Sequence, residues 1–292
     1  MSRALQIVSG VLLFCILSTA GAQTPPKPQY GDDLYRPNLG QSGKNVIWIP
    51  TPDGLVTKML QAARTSSADV VYDLGAGDGK IPIAAARDFK ARAVGIEYNP
   101  DMAALATRNA ERAGVADKVK IIAGDIFEND FSEATVVTLY LLPELNFKLR
   151  PQILKMKPGT RVVSHAFNMK EWEPDEIMQD GESEAFLWIV PASVAGQWQI
   201  EEGGSGWKGT LDLMQAFQRV GGTVTTGGKS LPLLGPALYG TGFSFSFFNV
   251  DGNMRSIRGR FDGDKFDGWM KLEGYDTPVS GRRSVKPSPA KS

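Results

Sequence analysis

Three carboxylates, Asp73, Glu97 and Asp125, each fall at the end of a short apolar run, and the first leads into the turn Gly75-Ala76-Gly77-Asp78-Gly79. Glycine there permits positive φ and lets a ligand approach bare backbone. The dinucleotide fingerprint G-x-G-x-x-G presents its helix N-terminus to a pyrophosphate, whereas here the glycines alternate and a carboxylate stands before them. A carboxylate is a poor neighbour for a phosphate and a good one for a cationic amine. The turn therefore reads as a nucleoside-binding loop, although an ordinary tight strand-to-helix connection would also use glycine. Glu97 lies roughly twenty residues past the turn, the offset at which such folds place a ribose-binding carboxylate. Any one of these acids could be a solvated loop residue or a helix cap. Three at successive strand ends make a set.

The elements that must position them are legible around each acid. Val70 to Leu74 fits a parallel strand covered on both faces, and Ile81 to Arg87 (IPIAAAR) continues as a helix. Ala93 to Glu97 is a second strand, and Asp101 to Ala113 an amphipathic helix. Lys118 to Phe127 supplies a third strand ending in Asp125, and Ala134 to Leu142 (ATVVTLYLL) a fourth that runs into Pro143-Glu144-Leu145-Asn146. Leu149 to Leu154 begins a further helix; Thr160 to His165 is the fifth strand and Phe186 to Val190 the last of this unit. Strands alternating with helices over about 120 residues predict an α/β fold with a doubly wound, mostly parallel, Rossmann-like sheet and a site along one edge.

The pattern D-x-G-x-G-x-G from Asp73 to Gly79 resembles the first motif of class I S-adenosyl-L-methionine (SAM) methyltransferases. Ile47 to Leu60 (IWIPTPDGLVTKML), the VYDLGAGDGK turn, Leu139-Tyr140-Leu141-Leu142-Pro143 and Pro158 to Phe167 (PGTRVVSHAF) bring the resemblance closer. Together they are similar to the family that includes the mitochondrial ATP synthase c-subunit lysine N-methyltransferase and its prokaryotic relatives, over roughly residues 46 to 175. The resemblance implies SAM as cofactor, with Asp73, Gly75, Ala76 and Gly77 at its methionine end and Glu97 with Tyr98 on the ribose side. It implies Asp125 at the adenine amino group and Ile126 along the ring. It places Thr51 and Pro52 in a segment that closes over the cofactor, and Tyr140 and Leu142 beside the methyl-transfer channel. Locally, Pro50 and Pro52 equally describe an extended loop entering a helix.

Methyl transfer from a sulfonium is an in-line displacement at an already activated carbon, so the protein mainly supplies proximity and orientation. The one cysteine, Cys15, lies in the N-terminal apolar run, which excludes a cysteine-nucleophile mechanism from the mature segment. Leu-Leu-Pro-Glu follows the fourth strand where enzymes acting on base amino groups carry Asn/Asp-Pro-Pro-aromatic, so a protein lysine fits better than nucleic acid. A lysine must shed its proton before attack, which a low-dielectric channel assists. Tyr140 is the leading catalytic candidate, and Glu144 a second for positioning the amine or taking its proton. Plain core packing is the competing role for Tyr140. His165, the single histidine, ends the fifth strand and could approach the substrate side or serve structure alone. One histidine and no mature cysteine predict no metal site.

The chain has 292 residues with 32 Lys and Arg against 32 Asp and Glu, which gives no electrostatic case for a nucleic-acid partner. Arg3, the apolar run Ala4 to Thr19 and Ala20-Gly21-Ala22 match a secretory signal over residues 1–22 with an A-x-A cleavage site, predicting an exported protein. The alternative is an uncleaved membrane anchor, at the short limit of about 17 to 20 residues for a span, with the catalytic domain in the cytoplasm beside its cofactor. Thr24 to Pro28 sits in a Pro-rich linker, residues 23–45. After the methyltransferase-like domain at 46–192, residues 193–280 alternate aromatic and polar residues between turns and predict an antiparallel β-rich domain. Gly259 to Gly268 interleaves acids and glycines but lacks EF-hand spacing, and reads as a hairpin. Residues 281–292 are basic and rich in Pro and Ser, the composition of a disordered tail. Two readings stand: a SAM-dependent methyltransferase acting on protein lysine, or an exported non-catalytic binding protein on a methyltransferase-like fold.

Overall fold

The computed structural model describes residues 30–44, 47–204, 206–272 and 274–286. The apolar run, the A-x-A site, Thr24 to Pro28 and residues 287–292 lie outside the described residues. Among those described, no helix is long and apolar enough to cross a membrane.

The first unit alternates strands and helices: α1 (Asp53–Ala62), β1 (Val70–Leu74), α2 (Lys80–Phe89), β2 (Arg92–Glu97), α3 (Pro100–Arg112), β3 (Val119–Ala123), β4 (Val136–Leu139), α4 (Pro143–Ile153), β5 (Arg161–His165), β6 (Glu176–Asp180) and β7 (Ser183–Ile189). Their sheet runs β3-β2-β1-β4-β5-β7-β6, with β7 antiparallel to β5 and all pairs from β3 to β5 parallel. Chain order reverses between β1 and β4, so the ligand crevice of such a sheet opens at their carboxyl ends. β1 is buried at every residue, which is why it reads as an unbroken apolar run. Leu55 and Met59 of α1 pack with Ala85 of α2 on one face, and Leu149 and Ile153 of α4 pack with Trp172 and Trp188 on the other. Helix α4 starts at Pro143, earlier than the sequence pattern placed it, because Pro143 sits at a position that needs no amide donor.

The second unit is one nine-stranded antiparallel sheet of β8 (Gly196–Glu202), β9 (Lys208–Ala216), β10 (Arg219–Thr226), β11 (Lys229–Pro232), β12 (Leu234–Tyr239), β13 (Gly242–Phe248), β14 (Met254–Asp262), β15 (Lys265–Leu272) and β16 (Tyr275–Val285). It is curled around Trp198, Ile200, Leu211, Phe245, Phe247 and Phe266, the inward positions of the period-two pattern. The disordered tail placed at residue 281 is corrected for residues 281–285. They complete β16 between β8 and β15, where Arg283 stacks 4.5 Å over Trp198 and donates to the Ala195 carbonyl. The Pro-rich linker is corrected likewise for residues 30–44: Asp32 accepts from Arg108 and Arg112 of α3, so this segment packs on the first unit.

The two units meet away from the crevice. Ala192 donates to the Gly240 carbonyl at 2.8 Å, and a Cβ on Gly240 would stand 3.1 Å from Gly159, just before β5. Phe217, at the β9–β10 turn, stacks on Trp172 with ring centres 6.1 Å apart. A cleft of about 1280 Å³ separates the outer face of β14–β16 from the amino-terminal edge of β1 and β5. The β-rich unit is therefore attached at the sheet edge opposite the carboxyl ends of the parallel strands.

Candidate functional site

Asp73 lies near the end of β1, between Gly95 of β2 and Thr138 of β4, and is 3% exposed. The Thr138 hydroxyl donates to its carboxylate at 2.7 Å. Burial pushes the Asp73 carboxyl up to about 7 against the pull of that bond, with nearby Glu97 and Asp78 adding to the rise. Next to it, Gly75, Gly77 and Gly79 adopt φ of +88°, +54° and +83°, conformations that side chains rarely take. The amides of Gly75 and Ala76 donate to the Ile96 carbonyl, which pins the turn against the end of β2. Gly77 donates its amide to Glu97 at 2.9 Å, and the other carboxylate oxygen accepts from Asn99. Burial raises the Glu97 carboxyl, opposed by these backbone bonds. Asn99 also caps α3, accepting from Asp101 and Met102. One strand end and one helix start thus fix two carboxylates beside a stretch of bare backbone.

Toward the outer rim, Asp125 follows β3 and accepts from Lys44 at 2.7 Å, the contact that holds its carboxyl below the ordinary range. The Lys44 ammonium also stands 4.5 Å over the half-exposed ring of Tyr98. At the opposite end, the Thr51 hydroxyl lies 3.1 Å from Nδ1 of His165. His165 is 5% exposed and burial lowers it to about 4, so its imidazole is neutral at physiological pH. Tyr140 covers His165 with ring centres 3.8 Å apart, and desolvation raises its phenol. Lys80 closes this end, donating to the Thr51 carbonyl at 3.1 Å and pairing with Asp53 at 2.9 Å.

Asp73, Gly75, Ala76, Gly77, Glu97, Thr51 and Tyr140 line one cavity. The other candidates fall outside its lining, Asp125 and Tyr98 beneath Lys44 and His165 behind Tyr140 among them. Pro52 is exposed and precedes α1, where the helix start turns it to solvent. Leu142 is 40% exposed at the start of α4, and its neighbour Leu141, 3% exposed, lines the cavity instead. Ile126 is buried in the core with Phe131 and Leu139. Glu144 is exposed in the first turn of α4. Trp48, Lys44, Lys80 and Asn99 were not singled out from the sequence, although Trp48 stands in the IWIPTP run and Lys80 closes the glycine turn. Among the described residues no three His, Cys, Asp or Glu side chains are grouped to hold a metal ion.

Comparison with known proteins gives the same neighbourhood. The sequence model of the ANTKMT methyltransferase domain matches residues 73–176, from Asp73 to the first residue of β6. A protein-lysine N-methyltransferase of Saccharolobus islandicus is 45% identical over 152 residues, 50% of this chain and 94% of that protein. The human ATP synthase c-subunit lysine N-methyltransferase is 32% identical over 139 residues, and the match spans 47% of this chain and 57% of that protein. Among solved structures, that of an RNA methyltransferase from Salinibacter ruber with S-adenosyl-L-homocysteine is 50% identical, covers 50% of this chain and 96% of that one, and has a TM-score of 0.49. The nine-stranded sheet lies beyond the match to the domain model.

Proposed function

Because the chain belongs to the methyltransferase family of the Saccharolobus islandicus protein-lysine N-methyltransferase, we propose that it transfers a methyl group from SAM to the ε-amine of a protein lysine. The observation that carries the reading is Asp73: a buried carboxylate whose one side-chain partner among the described residues is a neutral hydroxyl. Such a group is completed by a cation, and an α-ammonium is the cation that the cofactor brings. The donor set fits the rest of that molecule. Glu97 offers its carboxylate to a diol, and Gly75 and Gly77 present backbone that carries no Cβ. Asp125 is an acceptor for an exocyclic amine.

When bound, SAM supplies an electrophilic methyl on a positively charged sulfur. The chain's own part is to hold and dehydrate the reacting groups. Tyr140, half-buried and backed by the neutral imidazole of His165, gives the cavity an uncharged wall that disfavours an ammonium relative to the amine, so an entering lysine loses its proton more readily there than in water. Thr51 fixes the imidazole, and Lys80 fixes Thr51 through its carbonyl. Incubating the full chain with methyl-labelled SAM and cell extract, followed by complete hydrolysis, tests the acceptor. Label recovered as N-methyl-lysine supports the reading; label recovered in RNA, the acceptor class of the Salinibacter ruber enzyme, would replace it.

We further propose that residues 1–22 act as an export signal removed after Ala22, on the strength of Arg3, the apolar run and Ala20-Gly21-Ala22. Sequencing the N-terminus of the chain purified from its native cell decides this. A start at Gln23 agrees with export, and a retained Met1 in the membrane fraction gives the anchored arrangement instead.

A further inference from the structure

The crevice that should receive the cofactor is largely filled by the chain's own N-terminal segment. The cavity among Asp73, Gly77, Glu97 and Tyr140 measures about 90 Å³. Pockets for small organic ligands run from roughly 300 Å³ upward. Trp48 of that segment lines the cavity, and Lys44 stands just outside it. The Trp48 indole lies so close over the turn that a Cβ on Gly77 would be 2.7 Å from its Nε1, covering the backbone kept bare for a ligand. The Lys44 ammonium pairs with Asp125 and covers Tyr98, the two residues on the nucleoside side. Asp32 ties the segment to Arg108 and Arg112 of α3, and the backbone bonds from Gly40 to the Trp48 carbonyl and from Trp48 to the Gln41 carbonyl close it into a loop that presents the indole.

We propose that Lys44 and Trp48 are an internal competitor for the cofactor, Lys44 on the nucleoside side and Trp48 at the glycine turn, so that binding requires the Lys44–Asp125 pair to break and the indole to leave Gly77. The inference rests on the SAM reading of this crevice. Lys44 mimics what it displaces: a nitrogen donor to Asp125 lying against an aromatic face. Its side chain is 43% exposed, so the pair is a weak latch that ligand binding can open. A carboxylate that exchanges one nitrogen donor for another stays satisfied throughout, and the competition sets affinity without leaving a buried charge unpaired.

The test is titration of full-length protein with S-adenosyl-L-homocysteine, wild type against Lys44→Met, joined to amide hydrogen exchange at Gly40 and Trp48. Wild type should bind, and Lys44→Met should bind about two- to fivefold more tightly, the range of an exposed ion pair removed from the free state. Saturating ligand should speed exchange at the Gly40 and Trp48 amides as their bonds to the Trp48 and Gln41 carbonyls open. Equal or weaker binding by Lys44→Met, or slower exchange at those amides, overturns the proposal while leaving the cofactor site intact. Failure of both folded proteins to bind overturns the cofactor reading and the competitor with it.

Discussion

The Tyr140 ring lies over the His165 imidazole at 3.8 Å between centres, tilted by 32°, while the far edge of the same imidazole meets the Thr51 hydroxyl at 3.1 Å. Three residues from the ends of three different segments are thereby locked at the inner end of the crevice. The imidazole is neutral because it is buried, and its value near 4 sits below the 6.5 of an exposed histidine. Between those two values the unfolded chain binds the proton and the folded chain does not, so stability falls as pH drops from about 6.5 toward 4. Thermal melts at pH 7.5 and pH 5 should show a smaller loss for His165→Gln than for wild type. Equal losses would mean that His165 does not titrate with folding.

Asp73 has the opposite sign. Its folded value of about 7 exceeds the 3.8 of an exposed aspartate, so the stability linked to its proton is present below about 3.8 and is lost as pH rises through 7. A cationic ligand group at Asp73 favours the carboxylate and expels that proton. Calorimetry of S-adenosyl-L-homocysteine binding at pH 6 should give an enthalpy that depends on the buffer's ionisation heat. Asp73→Asn, if it binds at all, should show no such dependence.

Arg161 joins β5 to the start of β1. Its guanidinium donates to the Ala63 carbonyl and pairs with Asp69, which is 7% exposed and also accepts from Thr135. Arg161→Met leaves that carboxylate without its cation. Urea unfolding should show a loss of roughly 3 kcal/mol, since removing one partner of a buried pair strands the other. A loss under about 1 kcal/mol would place the pair among surface bridges.

Phe217 carries the contact between the β9–β10 turn and the first unit, stacking on Trp172 beneath the Arg150 guanidinium. It is only partly buried, so Phe217→Ala should cost less than a core phenylalanine, about 2 kcal/mol. Limited proteolysis should then cut faster in the connection between Ile189 and Gly196. Unchanged cleavage would show that the Ala192–Gly240 bond and the contacts of Gln218 and Arg219 with Glu173 hold the units together without the ring.

Gly77→Ala tests whether the bare turn is there for a ligand. The residue sits at φ +54° against an indole, so any side chain meets strain and a ring. The variant should keep its far-UV spectrum and lose at least about tenfold in S-adenosyl-L-homocysteine affinity. Normal affinity in Gly77→Ala would remove the turn from the site.

The parallel core was legible because buried strands leave a simple mark. Val70 to Leu74 is apolar without interruption, and each strand of the turn side ends in an acid. Edge strand β6, Glu176–Asp180, was not legible: it reads EIMQD, and only its pairing with β7 makes it a strand. Leu141 and Leu142 show the same limit at one residue's resolution. Both are leucines beyond β4, and the start of α4 decides which of them turns inward. The carboxylates were found because strand ends are local. Lys44 and Trp48 were missed because they reach Asp125 and Gly77 from a segment distant in sequence, which no spacing rule encodes. Residues 281–285 carry a tail's composition, and only the place between β8 and β15 makes them a strand.

The measurement that bears most directly on the cofactor site is calorimetric titration of the full chain with SAM and with S-adenosyl-L-homocysteine, using Asp73→Ala and Glu97→Ala as controls. Micromolar binding of both ligands by wild type, lost in both variants while their folds persist, is the predicted result. A folded wild-type chain that binds neither ligand would contradict it and leave the Asp73 crevice as a structural feature of a borrowed fold.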